Sequence, residues 1–210
     1  MLKKISLFLF TILLINTGFS QNKEAKLVQK SFDDYKSAIL NDKGEEAVNF
    51  VDSRTIKYYS EILDKSKNAD STTVSSMGLM DKLMVLTIRH KTSKQDILSF
   101  DGKGLLVYAI NEGMVGKGSV MNTSIGEVEI DGTFAKGQFI SNGEIAPFHF
   151  NFYKEDNAWK VDLTSIFSIG TTAFRTMQKE SGYEENEYLF MLLEYMTGKK
   201  PGVEIWNTIN

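Results

Sequence analysis

Asp81 and His90 are the two side chains of this 210-residue sequence whose types and setting suit acid–base work. An imidazole titrates near neutral pH. A carboxylate among Met80, Leu83, Met84 and Val85 must find a partner or stay protonated. Arg89 and Arg54 are the cations the sequence offers to Asp81, and the bland role for His90 is a helix-end imidazole bonded to a carbonyl. With a tyrosine added, Asp81 and His90 would make the catalytic core of an isomerase, hydrolase or cyclase. His149 and Asp162 form a second acid–base combination, but no nucleophile accompanies them. For binding, the candidates are Tyr58, Tyr59, Trp159 and Phe148: aromatic side chains that either fill a core or wall a ligand cavity.

Other chemistries fall away. With no cysteine the chain has no thiol nucleophile, disulfide scaffold, zinc ribbon or lipid-attachment cysteine. Two histidines 59 positions apart are not a zinc signature, and no Gly-x-Ser-x-Gly elbow exists. Gly113–Ser119 is glycine-rich, but Asn111 stands where a phosphate loop needs its first glycine and Gly118 where it needs Ser or Thr. No cofactor is expected.

These residues must be positioned by elements read along the chain. Residues 1–20 have the form of a signal peptide: Lys3 and Lys4, an apolar run Ile5–Ile15, then small residues to Ser20. The run is about half of the roughly 20 residues a membrane span requires. Removing it leaves 22 of the 24 basic residues against 27 acidic ones and moves the net charge from −3 to −5. A negative chain without a basic run disfavours nucleic acid and anionic membrane as partners. The expected protein is exported, periplasmic or secreted, and not lipid-anchored. A small apolar ligand, a partner segment and a second copy of the chain are the partners this reading admits.

Residues 21–210 are read as one α+β domain: helices over 24–113, a sheet over 124–165, helices over 166–198 and a tail over 199–210. Glu24–Leu40 shows helical spacing at Leu27, Phe32, Tyr35 and Ile39, and Glu45–Val51 is a short second helix. Asp52 or Ser53 starts a third, and Asp70 or Ser71 a fourth. Between Met77 and Ile88, eight of twelve residues are Met, Leu, Val or Ile, which predicts a helix buried all round. Ser93 caps a further helix, and Leu105–Ile110 is read as helical up to Gly113.

Beyond residue 124 the period becomes two. Taking Asp131-Gly132 and Asn142-Gly143 as two-residue turns, and Lys154–Asn157 as a four-residue loop, gives a four-strand meander. One face collects Val128, Ile130, Ala135, Phe139, Ala146, Phe148, Phe150, Phe152, Trp159, Val161 and Leu163. The other places Glu127, Lys136, His149 and Asp162 in one row. Ile166–Glu180 and Glu184–Thr197 are closing helices, stopped by Gly182 and Gly198.

Two segments, Phe32–Ala47 and Phe152–Leu163, resemble the opening helices and the closing hairpin of the nuclear transport factor 2-like superfamily, which includes ketosteroid-isomerase-like and polyketide-cyclase-like proteins. The resemblance implies a curved antiparallel sheet wrapped on helices around a cone-shaped cavity. No position matches the Tyr/Asp acid–base set of the isomerases, so no catalytic residue is carried over. Thr72–Gly113 and Phe167–Asn210 have no counterpart in the family pattern. The leading expectation is a non-catalytic binding or accessory protein that holds an apolar ligand or partner segment. The alternatives are an enzyme using Asp81 and His90, and a structural protein whose cavity is filled by its own Met and Phe.

Overall fold

A computed structural model describes residues 2–115 and 117–210, with side chains from residue 21 onward. The expected leader therefore lies outside the described side chains. The architecture is α+β: helices, a four-stranded antiparallel sheet in the order β1-β2-β3-β4, then helices. Contacts divide the chain into two compact units, residues 1–52 with 115–162, and residues 53–114 with 163–210. The sequence reading had taken residues 21–210 as one domain.

The first unit packs α1 (Leu2–Leu40) and α2 (Gly44–Ala47) with the sheet. The buried stripe of α1 is Val28, Phe32, Tyr35 and Ile39, at steps of four, three and four, which hold one helix face. Leu27, expected in that stripe, lies outside it and is 42% exposed. The turn after Leu40 is closed by Asp42 at φ 54°.

The strands are β1 (Thr123–Asp131), β2 (Phe134–Ser141), β3 (Glu144–Glu155) and β4 (Ala158–Asp162). The turns differ from the expectation in two of three places. Asn142-Gly143 is the two-residue turn expected, with both φ positive. The first turn is Gly132-Thr133, in which Gly132 alone has positive φ, so Asp131 pairs with Phe134. The third is the two-residue turn Asp156-Asn157, both left-handed, and Glu155 pairs with Ala158. Each change moves the pairing by two positions, which leaves the residues that stay in the strands on their expected faces; Leu163, expected on the inner face, lies beyond the end of β4. The row does change: Glu129, Lys136, Asn151 and Asp162 are in register, and His149 pairs with Gln138. The expected pairing of His149 with Asp162 does not form.

Two irregularities curve the sheet. Gly126 and Glu127 oppose the single residue Gln138, and this extra residue lets both Ile125 and Val128 keep to the inner face. In β3, Ala146, Pro147 and Phe148 oppose Phe139, where Pro147 has no N–H to give the ladder. The face toward α1 is filled by rings. Phe32 lies 5.5 Å from Phe150 and 6.4 Å from Phe139, while Phe139 stacks on Phe148 at 5.0 Å. Each such pair is worth about 0.5–1.5 kcal/mol beyond the area it buries.

Both sheet edges are protected. Along β4, Ser31 Oγ donates to the Trp159 carbonyl, and Asp52 N–H to that of Val161. On β1, Gln29 Nε2 donates to the Gly126 carbonyl and Lys36 Nζ to that of Thr123, while the remainder carries exposed Glu127, Glu129 and Asp131. Charged edges of this kind discourage strand addition.

The second unit comprises α3 (Ser53–Asn68), α4 (Ser71–Ser76), α5 (Leu79–Lys91), α6 (Lys94–Ser99), α7 (Gly102–Asn111), α8 (Phe167–Ser181) and α9 (Glu185–Thr197). Asp70, Ser93 and Asp101 accept N-terminal amides of α4, α6 and α7. Gly182 and Gly198 end α8 and α9 at φ 72° and 68°. The expected fourth helix is two. Met77 and Gly78 are extended between α4 and α5, and the Ser75 and Ser76 hydroxyls donate to the Ser71 and Thr73 carbonyls. α5 is buried round most of its circumference, as expected, and joins Leu189, Leu193 and Ile205 in the core of this unit. The strand expected to reach residue 165 stops at Asp162, and Leu163–Ile166 is a 3-10 turn. The tail is not loose: Val203–Trp206 is another such turn, Ile205 is buried, and Ile209 N–H donates to the Lys67 carbonyl.

Candidate binding groove

Asp81 and His90 do not converge. Nine residues along one helix separate them by about 13 Å and half a turn, from 1.5 Å and 100° per residue. Asp81 sits half-buried in the first turn of α5, its side chain 31% exposed. It accepts from Tyr58 Oη at 2.8 Å and pairs with Lys65 Nζ at 2.8 Å. The cation that meets it is thus Lys65, from α3. Arg89 turns elsewhere, donating to the carbonyls of Lys65, Ser66, Ala69 and Ile205. That arrangement caps the C-terminal end of α3, where the macrodipole is negative. His90 takes the bland role: its Nε2 lies 2.9 Å from Thr197 Oγ1 and 3.0 Å from the Lys199 carbonyl.

The aromatic candidates fall in different places. Tyr58 packs edge-on against Phe167 and Tyr59 in the second unit. Burial and its hydrogen bond to Asp81 push the Tyr58 hydroxyl far above the usual tyrosine value. Tyr59 is buried, and desolvation pushes it up to about 12. Phe148 and Trp159 belong to the first unit. Trp159 pairs with Lys154, six residues along β3 from Phe148, so roughly 20 Å of strand separates the two at 3.3 Å per residue. They cannot wall one small cavity.

Trp159 does border a groove of about 260 Å³, lined by Leu27, Lys30, Ser31, Asp34, Asn49, Phe50, Asn157, Ala158 and Trp159. α1 contributes one wall, the tip of the β3–β4 hairpin the other, and residues 49–50 after α2 the floor. The indole is locked in place. Its Nε1–H donates to Glu24 Oε2 at 2.7 Å, Lys154 Nζ reaches the same oxygen at 2.8 Å, and the ammonium lies 5.6 Å from the ring centroid. Lys154 and Trp159 together hold the Glu24 carboxyl below the usual glutamate range. Ser31 fixes the Trp159 backbone through its carbonyl. The groove thus has an exposed leucine, the edge of a fixed tryptophan that is itself only 4% exposed, and a polar rim in which Lys30 and Asp34 pair with each other.

Trp159 was the one residue of this groove picked out from sequence. Leu27, Ser31 and Phe50 carry no chemical signature, and Glu24 becomes informative only once its partner is known. Among the described residues no three His, Cys, Asp or Glu side chains are disposed to hold a metal ion, and no helix is long and apolar enough to cross a membrane. No protein-family model, curated protein or solved structure matches the chain.

Proposed function

We propose that the chain is an exported, non-catalytic accessory protein whose first unit binds an apolar side chain of a partner segment in the Trp159 groove. The observation that carries this is the groove itself: Leu27, 42% exposed, faces solvent beside a tryptophan held by two hydrogen bonds, from Ser31 and to Glu24. Size favours a segment over a free ligand. Sites for drug-sized molecules run from about 300 to 1,000 Å³, and this one, at about 260 Å³, suits one or two side chains. The sheet face that the superfamily resemblance would leave open is packed with Phe32, Phe139, Phe148 and Phe150. The protected edges argue against recruitment by strand addition.

The nuclear transport factor 2-like reading remains part of this proposal and concerns the first unit. Phe32–Ala47 and all but the last residue of Phe152–Leu163 lie there, whereas Thr72–Gly113 and Phe167–Asn210, without counterpart in the family pattern, lie in the second. Peptide display tests the binding reading. Random heptapeptides are panned against the full chain, with Leu27→Asp as counter-selection. Enriched peptides should share an apolar residue and lose the variant. Failure to enrich any sequence, or equal binding to Leu27→Asp, would overturn it.

A further inference from the structure

The second unit carries a feature that the groove does not use. A cleft of about 320 Å³ opens beside the C-terminal end of α5, lined by Arg89, His90, Thr92 and Lys94 on one side and by Glu204, Ile205 and residues 207–209 on the other. Its charge is unbalanced. Arg89 is 8% exposed, and four of its five N–H donors go to backbone carbonyls, which leaves one Nη1–H. A buried guanidinium met by carbonyl dipoles keeps a full positive charge in its surroundings, and desolvation lowers its pKa. Lys94 adds a second, exposed cation at the rim. Glu204 is the acid in the lining, and its carboxylate oxygens fold back against Gly202.

A second observation points to the same place. Thr92 is 6% exposed, and among the described residues its Oγ1 is the buried side-chain oxygen or nitrogen without a hydrogen-bond partner. Leaving a buried hydroxyl unpaired is costly, so such groups are rare in native proteins. Here the orphan hydroxyl belongs to a residue that lines the cationic cleft. His90 supplies a fixed wall, its Nε2 occupied by Thr197 and Lys199.

We propose that this cleft binds a small oxyanion, the chemistry shared by inorganic phosphate and a carboxylate, with Arg89 and Lys94 supplying charge and Thr92 a hydroxyl donor. The anion would complete the fifth Arg89 donor and the Thr92 hydroxyl together, and charge-assisted hydrogen bonds of this kind are the strong ones.

Isothermal titration of the full chain with sodium phosphate, and separately with sodium acetate, tests this. Chloride holds the ionic strength constant. Saturable binding of at least one anion is expected, and the stronger of the two identifies the source. Lys94→Ala, at an exposed position, should weaken it about tenfold, the loss of one charge-assisted hydrogen bond. Thr92→Val should weaken binding while the protein melts at the same temperature or higher, because an unpaired hydroxyl gives way to a methyl group. Absence of saturable heat for both anions up to tens of millimolar would overturn the proposal. Unchanged affinity in Lys94→Ala and Thr92→Val would overturn it equally.

Discussion

Phe150→Ala probes the facing of the sheet and the packing of the first unit together. Phe150 is 5% exposed, and its ring lies 5.5 Å from Phe32 and 5.2 Å from Phe139. Truncating a buried phenylalanine costs about 3–5 kcal/mol, a sum of lost transfer free energy and residual cavity. The surrounding rings are held by α1 and by strands paired on both sides, so the site cannot collapse easily and the upper half of that range applies. Native domains hold only about 5–15 kcal/mol in total. With a urea m-value of about 1.5 kcal/mol/M, a loss in that upper half should lower the midpoint by about 3 M. Trp159 lies in the same unit, and its emission reports the transition. The neighbouring His149→Ala is the control: His149 is exposed on the opposite face, and its loss should cost no more than about 0.5 kcal/mol. Equal midpoints for the two variants would show that the facing is wrong.

Three other outcomes are expected. Asp81→Asn should destabilise by only about 1 kcal/mol in a thermal melt, because Asp81 and Lys65 are each about a third exposed and solvent screens the pair; a loss of several kcal/mol would mean that the carboxylate is desolvated. Gly102→Ala should destabilise the second unit by about 1–3 kcal/mol through overpacking, despite the roughly 1 kcal/mol that alanine gains over glycine in a helix. An added Cβ would lie 2.6 Å from the Ser60 backbone nitrogen, and an unchanged urea midpoint would contradict this contact between α7 and α3. Finally, the folded chain depresses the Glu24 pKa, so its stabilisation is complete above the unfolded glutamate value of about 4.3 and is lost as pH falls through the folded value. Melting temperatures of wild type and Glu24→Gln should converge as the pH drops below about 4, and a constant difference down to pH 2 would remove Glu24 from the Trp159 network.

Helix termini were legible because capping chemistry is local: Asp70, Ser93, Gly182 and Gly198 act within a few residues of themselves. The faces of the sheet were legible for a different reason. Side chains alternate with period two, and the turn errors at Gly132 and Asp156 were also steps of two. Register itself was not legible, since Asp156-Asn157 adopts two left-handed residues without a glycine to announce them. The pairing of Asp81 with Lys65 depends on how α3 and α5 pack, and Arg89, nearer in the sequence, hid it. The groove was least legible of all. It joins residues 27–34, 49–50 and 157–159, and most of its lining is of types common on any surface. The Thr92 hydroxyl is notable only in the folded chain, which buries it without a hydrogen-bond partner.

The binding of a partner segment in the Trp159 groove is tested most directly by isotope-filtered NMR. A ¹³C-labelled peptide from the display selection is added to the unlabelled full chain, and intermolecular nuclear Overhauser contacts are assigned. Contacts from its apolar side chain to Leu27, Phe50 and Trp159 are expected. Contacts placed instead on Phe139, Phe148 and Phe150, with none at Leu27, would show that the sheet face opens to take the ligand and that the groove is not the site.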